Sequence, residues 1–191
     1  MESLSPMEKI QVHDKIFRPY IPQAELEKAI DGVAARLNAD YKDAKDIPLL
    51  LCVLNGAIMF TSELMKRITF PCQLVAVKLS SYEGVKTTGT VKTLMDITTD
   101  VKGRRVIIVE DIVESGQTMK RMIESLGTRN PASVHICTLF FKPDKLKEEL
   151  TLDYVAFRIP DDFIVGYGLD YDGLGRELKD VYTIVDESNN E

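Results

Sequence analysis

Residues 105–119 read RVIIVEDIVESGQTM. After Arg105 come four β-branched apolar residues, at positions 106–109, with no polar residue between them. A short apolar run without alternation suits a strand covered on both faces. It ends on two adjacent acids, Glu110 and Asp111, and the composition then changes to Ser115, Gly116, Gln117 and Thr118. From Gly116 onward Met119, Met122, Ile123 and Leu126 recur with helical spacing, and Gly127 is the expected C-terminal stop. A buried strand feeding a helix is the unit of an α/β sheet, and open α/β sheets bind ligands outside the carboxyl ends of their strands.

The same alternation extends in both directions. Upstream, apolar positions from Ala24 to Leu37 predict an amphipathic helix over 22–38 that opens near Pro22. PLLLCVL (48–54) predicts a second buried strand, Asn55-Gly56 breaks it, and 57–68 has helical period. QLVAVKLSSY (73–82) predicts a strand, followed by a stretch to residue 100 that is rich in Gly, Thr and charge. With little to bury, that stretch is expected to be a mobile flap, about 81–100. Downstream, SVHICTLFF, YVAFRI, FIVGYG and VYTIVD predict further strands. The expected fold is α/β: an open, largely parallel sheet flanked by helices. A chain of 191 residues, 45% hydrophobic and without repeats or a low-complexity linker, fits a single domain over 1–191.

Composition narrows the function. The formal net charge of -6, with no long run of Lys or Arg, argues against nucleic acid and against a membrane patch and leaves small ligands as the expected partners. The three cysteines, Cys52, Cys72 and Cys137, lie in apolar runs without metal-ligand spacing, so they are expected to be reduced, buried and chemically idle. The N-terminus has no apolar core of a leader, and no segment approaches the ~20 apolar residues of a membrane span. A cytoplasmic location is the expectation.

At the strand end, Ser115, Gly116 and Thr118 supply hydroxyls, converging backbone N–H groups and a helix N-terminus, which together suit a phosphate. Glu110 and Asp111 repel a phosphate and are costly to bury unpaired, so they need a different partner. Vicinal ribose hydroxyls, or a divalent cation attached to them, provide one. A ribose-phosphate site follows. The bland alternative is a strand end beside a helix cap. Gly166-Tyr167-Gly168 and Gly173-Leu174-Gly175 are too short for a dinucleotide fingerprint, and no ATP P-loop pattern occurs.

VIIVEDIVESGQTM closely resembles the phosphoribosyl diphosphate signature of the type I phosphoribosyltransferases. LCVLNGA, SSYEG with TTGT, LFFKPD and DDFIVGYGLDYDGLGR resemble, in the same order, the hypoxanthine-guanine branch of that family, and the likeness spans roughly 10–187. The resemblance implies a small hood, to which about 160–187 contribute, above the sheet. It assigns Glu110 and Asp111 to the ribose hydroxyls, and Ser115, Gly116, Gln117 and Thr118 to the 5-phosphate. Leu54-Asn55-Gly56 becomes a pyrophosphate loop carrying a non-proline cis peptide, with Arg176 as a further pyrophosphate contact. Lys142 would read the exocyclic oxygen of a purine, Phe163 would stack on the ring, and Ile164 and Leu169 would border the base. Asp170, with Glu110 and Asp111, would serve Mg²⁺, and Ser81-Tyr82 would close over the reaction centre.

Glu114 departs from the family, which commonly has Asp at this position, assigned to acid or base work at N7 of the purine. Glutamate keeps the carboxylate but places it one methylene farther out. Gln117 also departs, in side chain only. The implied activity is Mg²⁺-dependent purine salvage, from hypoxanthine or guanine and phosphoribosyl diphosphate to IMP or GMP, in a homodimer or homotetramer. Two alternatives remain open: a non-catalytic nucleotide sensor on the same fold, and a phosphoribosyltransferase for xanthine, adenine or a pyrimidine.

Overall fold

The computed structural model describes residues 8–80, 94–95 and 98–185. The chain begins with a hairpin of β1 (Ile10–Val12) and β2 (Lys15–Ile21), then forms helix α1 (Gln23–Tyr41), strand β3 (Leu49–Leu54) and helix α2 (Ile58–Met65). Strands β4 (Gln73–Ser80), β5 (Leu94–Met95) and β6 (Arg105–Val113) precede helix α3 (Gln117–Gly127). Strands β7 (Ser133–Phe141), β8 (Tyr154–Arg158), β9 (Ile164–Val165) and β10 (Val181–Ile184) complete it, with a 3-10 turn at Pro143–Lys145.

The larger sheet has the order β5-β4-β3-β6-β7-β8. All its neighbours are parallel except β4 and β5. The chain leaves β3 toward β4 on one side and resumes with β6 on the other. Strand order therefore reverses between β3 and β6, and a crevice opens between the carboxyl ends of those two strands.

Their lack of alternation has a direct cause in packing. Leu50, Ile107 and Val109 face Leu26, Ile30 and Leu37 of α1 and Phe60 and Leu64 of α2. Leu49, Leu51, Val106 and Ile108 face Met119, Met122 and Leu126 of α3. The register Leu49↔Val106, Leu50↔Ile107, Leu51↔Ile108 keeps like faces side by side. With helices on both sides, every position is apolar until the strand ends. Truncating one of these, as in Leu51→Ala, costs about 2–5 kcal/mol.

The smaller sheet, β1-β2-β10-β9, is antiparallel and forms the hood, closing on Val12, Phe17, Val165 and Tyr182. Several expectations need correction here. Of FIVGYG, only Ile164 and Val165 are strand, because Gly166, Tyr167 and Gly168 all take positive φ and turn the chain. That segment and VYTI belong to the hood rather than to the parallel sheet. No helix joins β7 to β8; the 3-10 turn and extended chain do so instead. Gly127 is the last helical residue, the chain leaves right-handed through Thr128, and the left-handed residue is Asn130 with φ 54. The N-terminal hairpin escapes periodicity because its pairing comes from β10, far along the sequence.

Ser81, Tyr82 and most of the expected flap lie outside the described residues. Leu94 and Met95 pair antiparallel with Ser80 and Leu79. Cys52 and Cys137 are buried, Cys72 is partly buried, and all three are free. Burial pushes their thiols up, most for Cys137, while Cys72, just before β4, is less buried than expected. Among the described residues no helix is long and apolar enough to cross a membrane.

Candidate active site

The crevice between β3 and β6 gathers three loops and the hood. The loop after β3 begins at the Leu54–Asn55 peptide, which is cis. Gly56 follows and lies directly against Asp111, near the carboxyl end of β6. A Cβ built on Gly56 would fall 1.4 Å from Oδ2 of Asp111. Only a residue without a side chain lets that carboxylate sit beside this backbone.

The strand does not stop at the acids as expected: pairing with β7 continues through Ile112 and Val113, so Glu110 and Asp111 lie within β6, near its carboxyl end, in different environments. Glu110 is buried, and its Oε1 accepts a long bond of 3.2 Å from the Asp111 N–H among the described residues. Loss of solvent, followed by repulsion from Asp111, pushes its carboxyl well above the usual range. Asp111 is half-buried, and its Oδ1 accepts from the Ile112 N–H at 2.8 Å. A buried carboxyl so poorly partnered has capacity for a hydroxyl or a cation.

Beyond these acids the chain passes Glu114 and Ser115 and reverses at Gly116, the N-cap of α3, with φ +80. A Cβ there would meet Leu150 Cδ1 at 2.7 Å and Leu146 Cδ1 at 2.9 Å. Glycine thus meets both the left-handed turn and the close packing. The Ser115 Oγ stands 3.4 Å from the Gln117 N–H. A cavity of about 300 Å³ opens at this point, lined by Val53, Glu110, Glu114, Ser115, Gly116, Thr118 and Met119. The orphan N–H groups and positive end of α3 border it, an arrangement suited to an anion.

At the other end of the crevice, β7 delivers Lys142, which is 4% exposed. Its main-chain N–H donates to the Val113 carbonyl at 3.0 Å, pinning it beside the β6 loop. Its Nζ donates to Glu114 Oε1 at 2.5 Å and lies 3.4 Å from Asp161 Oδ1. Asp161 Oδ2 pairs with Lys145 at 2.8 Å.

The hood supplies the remaining predicted residues. Phe163 is 44% exposed, its ring edge-on to Tyr171 at 5.7 Å, and its carbonyl is tied down by Ile184 N–H and the Thr183 hydroxyl. An exposed aromatic face held by a rigid backbone suits stacking on a planar ligand. Ile164 and Leu169 are buried, so their side chains serve the core. Arg176 pairs with Asp170 at 2.5 Å and donates to the Gly168 carbonyl at 2.7 Å, while Asp170 Oδ2 accepts from the Gly173 N–H. Gly168, with φ +101, touches the Gly56 carbonyl so closely that a Cβ would lie 2.1 Å away. The hood is thereby locked onto the β3 loop.

Glu110 and Asp111 adjoin Gly56, the Gly116 cradle follows them, and Lys142 meets Glu114. Asp170 does not join Glu110 and Asp111 as a metal cluster: among the described residues no three His, Cys, Asp or Glu side chains are grouped to hold an ion. Sequence reasoning passed over Asp161, Lys145 and Gly168. The first two were legible only as charged residues near Phe163 and Lys142, and the third lay in a motif too short for a dinucleotide fingerprint.

Known proteins are similar to this chain in sequence and fold. Residues 22–172 match the model of the phosphoribosyl transferase domain. A hypoxanthine phosphoribosyltransferase of Salmonella typhimurium is 39% identical over 166 residues, covering 86% of this chain and 93% of that protein. The crystal structure of a hypoxanthine-guanine phosphoribosyltransferase from Bacillus anthracis, with a HEPES molecule in its active site, superposes with TM-score 0.79 at 33% identity, covering 88% of this chain and 98% of that one. A glutamic acid mutant, from an analysis of an invariant aspartic acid in hypoxanthine phosphoribosyltransferases, superposes with TM-score 0.81 at 33% identity, covering 96% and 98%.

Proposed function

The chain belongs to the phosphoribosyl transferase family, and from that premise we propose that it is a purine-salvage enzyme. It transfers the phosphoribosyl group of 5-phosphoribosyl 1-diphosphate to N9 of hypoxanthine or guanine, giving IMP or GMP and pyrophosphate. The observation that carries this reading is the order of groups along one crevice: a turn suited to phosphate at Ser115 to Thr118, two acids at Glu110 and Asp111, and a buried Lys142 paired with the exposed Glu114.

In this reading the cradle anchors the 5-phosphate, and Glu110 and Asp111 accept hydrogen bonds from the ribose hydroxyls. Asn55, Gly56 and Arg176 bind the pyrophosphate. Phe163 stacks on the base, with Ile164 and Leu169 bordering it through their main chain. Lys142 donates to the six-oxo oxygen, which disfavours adenine, whose amino group offers no acceptor there. Glu114 takes the proton from N7 as N9 bonds to C1′, and placing both reactants in one site supplies much of the acceleration. Ser81 and Tyr82 complete the proposed site from the flap and exclude water.

The donor set also fits Mg²⁺. Asp170, Glu110 and Asp111 are oxygen donors on different parts of the site, and Mg²⁺ is usually held by one or two carboxylates with substrate phosphates supplying the rest. Bound there, it would neutralise the leaving pyrophosphate. We further propose a cytoplasmic homodimer or homotetramer, with the whole chain as one domain; light scattering on the purified protein tests the assembly.

The test of the reaction is nucleotide formation from phosphoribosyl diphosphate, Mg²⁺ and each of hypoxanthine, guanine, xanthine and adenine. Turnover with a six-oxo purine is expected. No turnover by folded protein that still binds phosphoribosyl diphosphate would replace this reading with a sensor, and a preference for adenine would remove Lys142 from its role.

A further inference from the structure

Lys142 is buried, with a side chain only 5% exposed, yet it faces two carboxylates at different ranges: Glu114 at 2.5 Å and Asp161 at 3.4 Å. The second oxygen of Asp161 is held by Lys145 at 2.8 Å. Four charges of alternating sign therefore run from the β6 loop, through the end of β7, to the segment after β8 and back to the 3-10 turn. Glu114 and Asp161, with Lys145 behind Asp161, are the charged groups around this ammonium among the described residues.

We propose that Asp161 is a positioning residue, the counter-ion that keeps Lys142 charged and aimed at the base while Glu114 is engaged with N7. This inference rests on the reading of Lys142 and Glu114 above. That reading has both groups contact the purine at once, so the base competes with the 2.5 Å ion pair between them and weakens it. Leaving a buried ammonium without a partner is strongly unfavourable. A second carboxylate must take over. At 3.4 Å, Asp161 is close enough to stabilise the charge and too far to make a strong hydrogen bond. The ammonium keeps donors free for the six-oxo oxygen. Lys145 holds the far oxygen of Asp161 and prevents its collapse onto Lys142. Hydrogen bonds from Lys145 and then Lys142 keep the Asp161 carboxyl below the usual range.

The alternative is that Asp161 makes an exposed ion pair of little consequence, the ordinary state of such pairs. Asp161→Asn, Asp161→Glu and Lys142→Gln distinguish the two, each measured in the full chain for KM and kcat with hypoxanthine and guanine across pH, and for melting temperature. Asp161→Asn should raise KM for both bases roughly tenfold, equivalent to about 1.4 kcal/mol, with kcat changed much less. It should also move the alkaline limb of kcat/KM to lower pH, the direction in which removing an anion from beside a cation acts. Asp161→Glu should restore most of both.

Wild-type KM and an unmoved alkaline limb in Asp161→Asn would overturn the inference. So would a fall in melting temperature and kcat together with no change in the limb. If Lys142→Gln loses the preference for six-oxo purines while Asp161→Asn behaves as wild type, only the role of Asp161 falls. If Lys142→Gln keeps that preference, the reading beneath it falls as well.

Discussion

Gly56→Ala isolates the contact on which the ribose end of the proposed site depends. The added Cβ would lie 1.4 Å from Oδ2 and 2.4 Å from Cγ of Asp111. Carbon contacts settle near about 3.5–4 Å, so the carboxylate must retreat by roughly 2 Å. The Asp111 Cβ, 3.3 Å away, must also give by a few tenths of an ångström, but the larger movement falls on the end of the side chain. The displaced group loses the Ile112 N–H donor it holds at 2.8 Å, a cost of about 1 kcal/mol to stability, or about 2–4 °C in Tm at this chain length. Its loss to function is larger. A hydrogen bond to a charged group is worth about 1.5–3 kcal/mol and does not survive a 2 Å shift, so KM for phosphoribosyl diphosphate should rise about 10- to 150-fold. Steady-state kinetics with saturating hypoxanthine, alongside a thermal melt, measure both quantities. Gly168→Ala is the contrast: its Cβ would meet the Gly56 carbonyl oxygen at 2.1 Å, at φ +101, where no side chain can yield. It should lower Tm considerably more. A Gly56→Ala enzyme with KM within twofold of wild type would refute the assignment of Asp111 to the substrate.

Other outcomes follow from the same geometry. Glu114→Gln removes the proposed proton acceptor and should lower kcat by about 10²- to 10⁴-fold, read from nucleotide formation; an unchanged kcat removes Glu114 from the chemistry. Tyr41 buries a hydroxyl without a hydrogen-bond partner among the described residues, and burial pushes its pKa up to about 12. Because the folded value exceeds the unfolded one of about 10, its contribution is complete below pH 10 and is lost as pH rises through about 12. Tyr41→Phe should therefore raise Tm at neutral pH and shallow the alkaline loss of stability, seen in melts from pH 8 to 12; a lowered neutral Tm would contradict the packing described. Finally, with no group of three metal ligands among the described residues, Mg²⁺ alone should leave Tm unchanged, whereas Mg²⁺ with phosphoribosyl diphosphate at a hundred times Kd should add about 2.7 kcal/mol. A shift with Mg²⁺ alone would point to a preformed cation site.

Local chemistry in the sequence determined the α/β class, the two central strands and the small-residue turn into α3. A strand covered on both faces must be apolar throughout, as residues 106–109 are, and a chain that turns from strand to helix around an anion needs small residues such as Ser115 and Gly116. Those requirements are met by neighbours in sequence, so they are visible there. Tertiary structure alone decided the rest. The β2 strand of the hairpin pairs with β10, and Ile164-Val165 of FIVGYG belong to the hood because β10 pairs with them as well, the positive-φ residues that follow cutting the strand short. Gly168 matters because Gly56 stands against it, and Asp161 because Lys142 and Lys145 flank it. Each of these depends on distance between residues far apart in the chain, and periodicity carries no record of such distances.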